Sequence, residues 1–366
     1  MKEGINFLDC LDVDLGLSIL TRLDNPADLI RASAVSRSWH HFVIANRLSK
    51  QLCLRMFPHI SDLDQIVGSN NGTISVDVES SNPMGWKILQ RDHNVYASLV
   101  LALVKSKDNP KDCIACVIGA SSTDREPEES IVNTLFPIDT YMWGDSYWSS
   151  KGQSNPDVPE TLIYKLTADV CVVTEIDIRP FEVYWEPGSL VYSAKAVRFR
   201  MGHLKSPRKN GIDFWHLPLQ PPAEDEFLWS YTSPEFPMTQ EKHLQKFKLP
   251  EPVLCIGGCL QIELLGSAQR EAIDGLFYIC VCHVRVLGRP LSPGFELQAL
   301  KKSGQLQLKY NPEAFSSILK RFSHEEETDA VEPEEDTLGE HVRQLENLLQ
   351  IRNIPDHPFV WNDEYN

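Results

Sequence analysis

Near Cys113 the spacing of apolar residues changes from about four to two, and that change constrains the architecture more than any other feature of the chain. Ahead of it, Leu11, Leu15, Ile19 and Leu23 recur every four residues, with Leu8 and Leu20 beside them, as one broad stripe of an amphipathic helix. Behind it, Thr174-Glu175-Ile176-Asp177-Ile178-Arg179 sends its isoleucines to one side and its charges to the other. Val197, Phe199 and Met201 alternate with Arg198 and Arg200, and Leu260, Ile262 and Leu264 with Gln261 and Glu263. Residues 279–287, rich in Val, Ile and Cys, read as the strongest strand. Half-buried antiparallel strands have this pattern. No helical pattern of any length separates them, so the expectation is an antiparallel sandwich and not an α/β sheet.

With 366 residues the chain exceeds one ordinary core, and an α+β multidomain organisation is expected. Residues 5–50 read as three short helices. Asn25 suits a cap, Pro26 the first helical position, and Asp28 the positive end of the dipole of the second helix. Leu29, Ile30 and Ala32 carry that helix, and Val35, Trp39, Phe42 and Val43 the third. Residues 51–112 form a linker and helical connector: 66–83 is rich in Gly, Ser, Asn and acid, while 85–105 carries Trp86, Leu89, Val95, Leu99 and Leu103 at helical spacing. The sandwich, read as a jelly roll, is expected over 113–298, interrupted by a long Pro- and Lys-rich loop at 203–250. Residues 299–366 are expected to be helical and acidic. There Pro312 opens a short helix with Phe315, Ile318, Leu319 and Phe322, residues 324–336 form a solvated acidic run, and Leu338, Val342, Leu345, Leu348 and Leu349 make an amphipathic helix.

The formal net charge of −16 repels phosphate backbones and anionic lipid, so neither nucleic acid nor a membrane surface is an expected partner. Acidic residues interrupt the N-terminal apolar positions, and no apolar run approaches the ~20 residues needed to cross a bilayer. The expected setting is a reducing cytoplasm or nucleus. Nine cysteines, an odd number scattered through strand-like runs, agree with free, packed thiols. In that setting Asn71-Gly72-Thr73 is not a glycosylation site.

Catalytic signatures are missing from the sequence: there is no Gly-x-Ser-x-Gly elbow, phosphate loop, His-Glu-x-x-His or dinucleotide fingerprint. A hydrolase would need converging His and carboxylate groups, and His203, His216 and His283 are scattered. Cys113 and Cys116 have zinc-ligand spacing, with Cys280, Cys282 and His283 as a conceivable second half. No knuckle glycine flanks the first pair, and Cys280 and Cys282 alternate within a strand, where both would point inward. Packed thiols are therefore expected, with no metal, cofactor or catalytic residue.

Leu11, Leu15, Ile19-Leu20, Leu23, Asp28-Leu29 and Val35-Ser36-Arg37-Ser38-Trp39 together resemble the F-box consensus of Leu-Pro, Ile-Leu, Leu, Asp-Leu and Val-Cys-Arg-x-Trp. The family proline is Asp12 here and the family cysteine is Ser36. Over roughly 45 residues, order, spacing and position match. The resemblance implies a substrate receptor of a Skp–cullin–F-box ubiquitin ligase, docked on the Skp adaptor and through it on cullin. Leu11, Leu15, Ile19, Leu20, Leu29, Val35 and Trp39 are the candidate adaptor-binding set. Some of them must hold the helical unit together, and the sequence does not divide the two roles.

Ala120-Ser121-Ser122, Ser146-Tyr147-Trp148-Ser149-Ser150-Lys151-Gly152, Leu162-Ile163-Tyr164, Ile176-Asp177-Ile178-Arg179-Pro180-Phe181 and Gly288-Arg289 resemble a galactose-binding-like, discoidin-type jelly roll. In such domains the loops at one end hold the ligand. Trp143, Tyr147 and Trp148 are the candidate substrate-binding cluster, against the competing reading that Trp148 packs inside the sandwich. The implied role is a non-catalytic adaptor presenting a target protein. A lectin-like F-box module that binds glycan is the main alternative, and a hydrolase in the β domain the lesser one.

Overall fold

The computed structural model describes residues 10–60, 83–106, 109–137, 140–141, 144–183, 188, 190–205, 223–299 and 306–318. The chain opens with α1 (Val13–Leu20), α2 (Pro26–Ala34), α3 (Arg37–Ala45) and α4 (Leu48–Met56), and the long helix α5 (Pro83–Lys105) follows. Each of the first three has a side-chain cap. Asp12 accepts from Val13 N at 2.8 Å, Asn25 from Ala27 N at 2.9 Å with Pro26 in the first turn, and Ser36 from Trp39 N at 3.2 Å. The two departures from the F-box consensus, Asp12 and Ser36, are therefore both N-caps, a role their short oxygen-bearing side chains fill and Pro or Cys side chains do not. Arg55, near the end of α4, reaches back to the Leu23 carbonyl at 2.6 Å and to Asp24 at 3.0 Å, satisfying the chain beyond α1.

The strands in chain order are β1 (Lys111–Asp112), β2 (Ile114–Ala120), β3 (Thr140–Tyr141), β4 (Gly144–Asp145), β5 (Trp148–Ser149) and β6 (Glu160–Leu166). Then come β7 (Val170–Pro180), β8 (Glu182–Val183), β9 (Leu190–Val191), β10 (Ala194–Leu204), β11 (Phe227–Thr232) and β12 (Phe236–Pro237). The set ends with β13 (Gln245–Ile256), β14 (Cys259–Ser267), β15 (Cys280–Pro290), β16 (Phe295–Ala299) and β17 (Leu306–Tyr310). Two antiparallel sheets form the sandwich. Sheet A runs β1-β15-β7-β13 with β5 also on β15, and sheet B runs β11-β10-β14-β6-β2 with β12 on β10. The core between them takes the inward set of each alternating strand, including Ile176 and Ile178, Val197, Phe199 and Met201, and Leu260, Ile262 and Leu264. The outward set pairs by charge: Arg198 meets its cross-strand partner Glu263 at 2.5 Å, and Arg200 reaches the same carboxylate at 3.0 Å.

Close approaches explain two glycine positions. Ile256 and Cys259 are joined by Gly257 and Gly258, both at positive φ (97° and 64°), a two-residue hairpin turn that residues with side chains enter only with strain. At Gly202 a Cβ would sit 2.0 Å from the Leu228 carbonyl, where β11 shifts register against β10.

A second apolar cluster lies on the outer face of sheet A. Val170 and Val172 of β7 and Leu254 and Ile256 of β13 meet Cys53, Phe57 and Ile60 from the α4 end and Val95, Tyr96, Leu99 and Leu103 of α5. Leu291, Phe295, Leu308 and Phe315 complete the cluster. The helical unit and the sandwich thus share a core and form one body.

Three expected boundaries shift. A fourth helix, α4, extends the N-terminal unit past residue 50. The segment 203–250 is not one long loop, because β11, β12 and the first half of β13 lie in it and pair with β10 and β7; residues 206–222 lie outside the described residues. The boundary at 298 falls inside β16, whose partner β17 continues the fold to residue 310 before the helical turns at 312–318. The acidic run at 324–336 and the helix read over Leu338–Leu349 lie outside the described residues.

His93 on α5 sits against α3 and α4, with Nδ1 3.0 Å from Ser49 Oγ and its ring edge-on to His40 at 6.1 Å. Burial, and then His40, lower its pKa from 6.5 to about 4. Between those values the unfolded chain binds a proton that the folded chain refuses. Stability present above pH 6.5 is therefore expected to fall as pH drops towards 4, at up to ~1.4 kcal/mol per pH unit. Urea unfolding at stepped pH is expected to show this slope in the wild type and a flatter one in His93→Gln. Truncating Leu99, fully buried between α5 and sheet A, to Ala is expected to cost ~2–5 kcal/mol in the same measurement.

Candidate functional site

Nine large apolar side chains are exposed among the described residues, and five of them, Val13, Leu15, Ile19, Ile30 and Val35, lie between residues 13 and 35. Within α1, helix geometry puts Leu15 and Ile19 one turn apart as an exposed apolar ridge, while Ile30 lies on α2 and Val35 at its end. A helix turns about 100° per residue, so a four-residue step drifts by about 40°. Of the row Leu11, Leu15, Ile19, Leu23, only Leu15 and Ile19 lie within α1; Leu11 precedes the Asp12 cap and Leu23 follows the helix. Leu15 is 51% and Ile19 40% exposed, whereas Leu11 and Leu23 are half-buried. The adjacent row, Gly16 and Leu20, points inward.

The structure divides the seven adaptor-binding candidates. Leu20 and Leu29 are buried in the core of the helical unit with Ala32, Val43, Leu48 and Leu52, and Trp39 packs half-buried against the same core. Leu15, Ile19 and Val35 stand in solvent, and Leu11 is half-buried. The candidate set did not include Val13 and Ile30, which are also exposed in this helical unit. Val13 is the first residue after the Asp12 cap, and Ile30 follows the buried Leu29, so neither position has to face the core.

In the β domain the aromatic candidates sit beneath the loops. Trp148 is fully buried between the sheets, with its indole N–H donating to the Ser122 carbonyl at 3.1 Å. Tyr147 is 8% exposed, stacks on Phe181 at 4.0 Å, and donates its hydroxyl to Glu129 at 2.8 Å. Trp143 lies outside the described residues. The ligand-contact expectation for Tyr147 and Trp148 is accordingly corrected: their large apolar rings brace the loop end of the sandwich and offer no open face to a glycan. The loops above are held by a buried carboxylate, Glu160, which accepts from Ser121 Oγ, from Ser122 Oγ at 2.7 Å and from Gln153 Nε2 at 3.4 Å.

The thiols behave as packing groups. All nine cysteines are free. Burial pushes Cys259 up to about 11 and Cys280 up to about 12 and raises Cys116, while the hydrogen bond with Cys171, and then burial, raises Cys113, all against the thiolate form a metal needs. Among the described residues no group of three or more His, Cys, Asp or Glu is placed to hold a metal ion. Cys280 and Cys282 do share one face of β15, but it is the outer face of sheet A. They pack there with Tyr147, Phe181, Val183 and Tyr192 and not in the central core. His283, buried, has Nδ1 3.0 Å from the Thr134 carbonyl. His203 sits at the opposite end of the sandwich beside the Gly257 turn. The structure does not bring these two together, and His216 lies outside the described residues.

Trp148→Ala is expected to lower unfolding free energy by ~3–5 kcal/mol, with Trp148→Phe losing less, as circular dichroism melts would show. A variant that kept its stability would return Trp148 to the list of ligand contacts.

An F-box-like family model matches residues 13–55. The F-box protein At4g00755 of Arabidopsis thaliana is 43% identical over 374 residues, covering 98% of this chain and 96% of that protein. Among solved structures, the family 32 carbohydrate-binding module of Streptococcus pneumoniae EndoD is 13% identical, covers 49% of this chain and 98% of the module, and superposes with a TM-score of 0.32. A fucolectin from striped bass (Morone saxatilis) serum is 15% identical, covering 54% of this chain and 57% of the lectin, at 0.32. The sandwich rests on its own strand pairings, and these distant likenesses add nothing to them. Identity over nearly the full length of a relative so named, in a chain whose residues 13–55 fold as capped helices with an exposed apolar ridge, makes this chain a member of the F-box protein family.

Proposed function

We propose that this chain is a non-catalytic substrate receptor: its ridge docks on the Skp adaptor of a cullin-based ubiquitin ligase, and its sandwich presents a target protein. The observation that carries this reading is the concentration of exposed apolar side chains on Val13, Leu15, Ile19, Ile30 and Val35 in a chain of net charge −16. Apolar side chains clustered on short amphipathic helices gain free energy by meeting a partner's helices. No bond need be made or broken by this chain. Holding a target's lysine near a ubiquitin thioester raises the effective concentration to about millimolar, which is positional catalysis. Nine free thiols suit a reducing compartment, the cytoplasm or nucleus.

The shared core on sheet A supports the same reading, because a receptor must hold its target at a set distance from the adaptor. Val170 and Val172 lie under the helices while Pro180, at the other end of β7, lies beside the far loops. At ~3.3 Å per residue the strand sets the two ends roughly 30 Å apart.

The burial pattern chooses the test. Leu15→Asp with Ile19→Asp changes only the exposed row and is expected to abolish binding of purified Skp adaptor in calorimetry while leaving the melting temperature within a few degrees. Leu20→Asp places a charge in the core and is expected to unfold the helical unit, so its loss of binding would carry no information. Wild-type affinity in the folded double variant would end the receptor reading.

A further inference from the structure

The loops at the far end of the sandwich include the β14–β15 connection, residues 268–279, and at its tip Ile273 is 88% exposed, the most exposed large apolar side chain among the described residues. A lone exposed aliphatic residue ordinarily signals nothing. The loop beneath this one is different, because almost every turn of it is tied. Glu271 N donates to the Leu276 carbonyl at 2.8 Å, Gly275 N to the Glu271 carbonyl at 3.1 Å, and Arg270 Nε to the Gly275 carbonyl. Asp274 accepts from Leu276 N at 2.8 Å and from the Tyr278 hydroxyl at 2.6 Å. Phe277 and Gln153 exchange both backbone hydrogen bonds, at 2.8 and 2.9 Å, which fastens the loop to its neighbour. A loop so constrained has already lost the conformational freedom that binding would otherwise remove.

The surroundings narrow the partner. Leu276, Phe277 and Tyr278 are half-buried behind the tip. Glu271 and Asp274 flank the isoleucine, with the guanidinium of Arg270 beside them and its Nε donating to the Gly275 carbonyl, and hydrogen bonds from Tyr278 and Leu276 N hold Asp274 below the usual carboxylate range, so the loop keeps a net negative charge. An apolar tip between two carboxylates is repelled by anionic lipid and suits a pocket with a basic rim.

We propose that Ile273 is a preformed apolar anchor for a folded target protein, entering an apolar pocket bordered by lysine or arginine side chains. This rests on the receptor reading for the partner's role, but the anchor and the adaptor ridge fail independently.

The test uses the full chain with a photo-crosslinking residue at position 273 and, as control, at 228, where Leu228 is exposed on β11. The protein crosslinked at 273 is purified and titrated against wild type, Ile273→Asp, Ile273→Val and Leu228→Asp. The anchor predicts crosslinking at 273 above the level at 228, at least about ten-fold weaker binding for Ile273→Asp, and near wild-type binding for the other two. It is overturned by equal crosslinking at the two positions, by unchanged affinity of Ile273→Asp, by capture of a second copy of this chain, or by wild-type cosedimentation with phosphatidylcholine–phosphatidylserine vesicles that Ile273→Asp loses. Adaptor titration in parallel separates the readings. Adaptor binding without an anchored target removes the anchor alone, and an anchored target without adaptor binding removes the receptor reading alone.

Discussion

Everything else in the molecule depends on sheet A being apolar on both faces at one end. Side chains alternate along a strand, so a strand that packs on one side only carries apolar residues at every second position. In β7 and β13 that rule holds for part of the length and then breaks. Cys171 and Val173 face the sandwich core while Val170 and Val172 face α5; Val253 and Cys255 face the core while Leu254 and Ile256 face the helices. Beyond the register shift between Val173 and Glu175 the outward positions become Glu175, Asp177 and Arg179. The two runs of continuous apolar residues, 170–173 and 253–256, mark the footprint of the helices on the sheet.

This shared core removes a hinge that the sequence suggests. The Gly-, Ser- and Asn-rich stretch at 66–83 looks like a tether between independent domains. Yet Phe57 and Ile60 ahead of it, and Tyr96, Leu99 and Leu103 behind it, are buried in one cluster with the sheet. Ser98 Oγ also lies 2.7 Å from the Tyr310 hydroxyl, so the C-terminal hairpin β16–β17 closes on the same helix. Orientation is thus fixed by packing at α5, and linker length no longer decides how far the far loops stand from the F-box. For the receptor role proposed above, rigidity at this joint matters more than any single contact at either end.

The alternating segments at 174–179, 196–201 and 260–264 were fully legible, because period two with charges between leaves one way to bury the apolar set. The helix starts at Asn25-Pro26 and the long helix over 85–105 were legible for equally local reasons. What sequence reading lost was set by tertiary context. A four-residue leucine repeat says that a helix is amphipathic but not where its buried face ends, so Leu15 and Leu20 looked alike until the packing separated them. Trp148 left two readings open, because a large aromatic beside serines suits both a loop and a core, and the sheet pairing of β5 with β15 puts it in the core. The strands within 203–250 were masked by prolines and lysines, which edge strands tolerate. β11 and β13 each end a sheet, where such residues discourage further pairing.

The consensus departures at Asp12 and Ser36 bear on how the ridge works. Both side chains are exposed and spend their oxygens on backbone N–H groups of this chain, so they set where α1 and α3 begin. The residues that project from those helices follow from that start, since shifting a helix by one residue turns each side chain by about 100°. In the helix that starts at Val13, Leu15 and Ile19 lie one turn apart on the exposed side and Gly16 and Leu20 one turn apart on the side that packs on the core. An exposed row of apolar side chains is unfavourable in water, and the net charge of −16 opposes close approach of two copies of the chain. The caps therefore help hold in place an exposed arrangement that water alone does not favour.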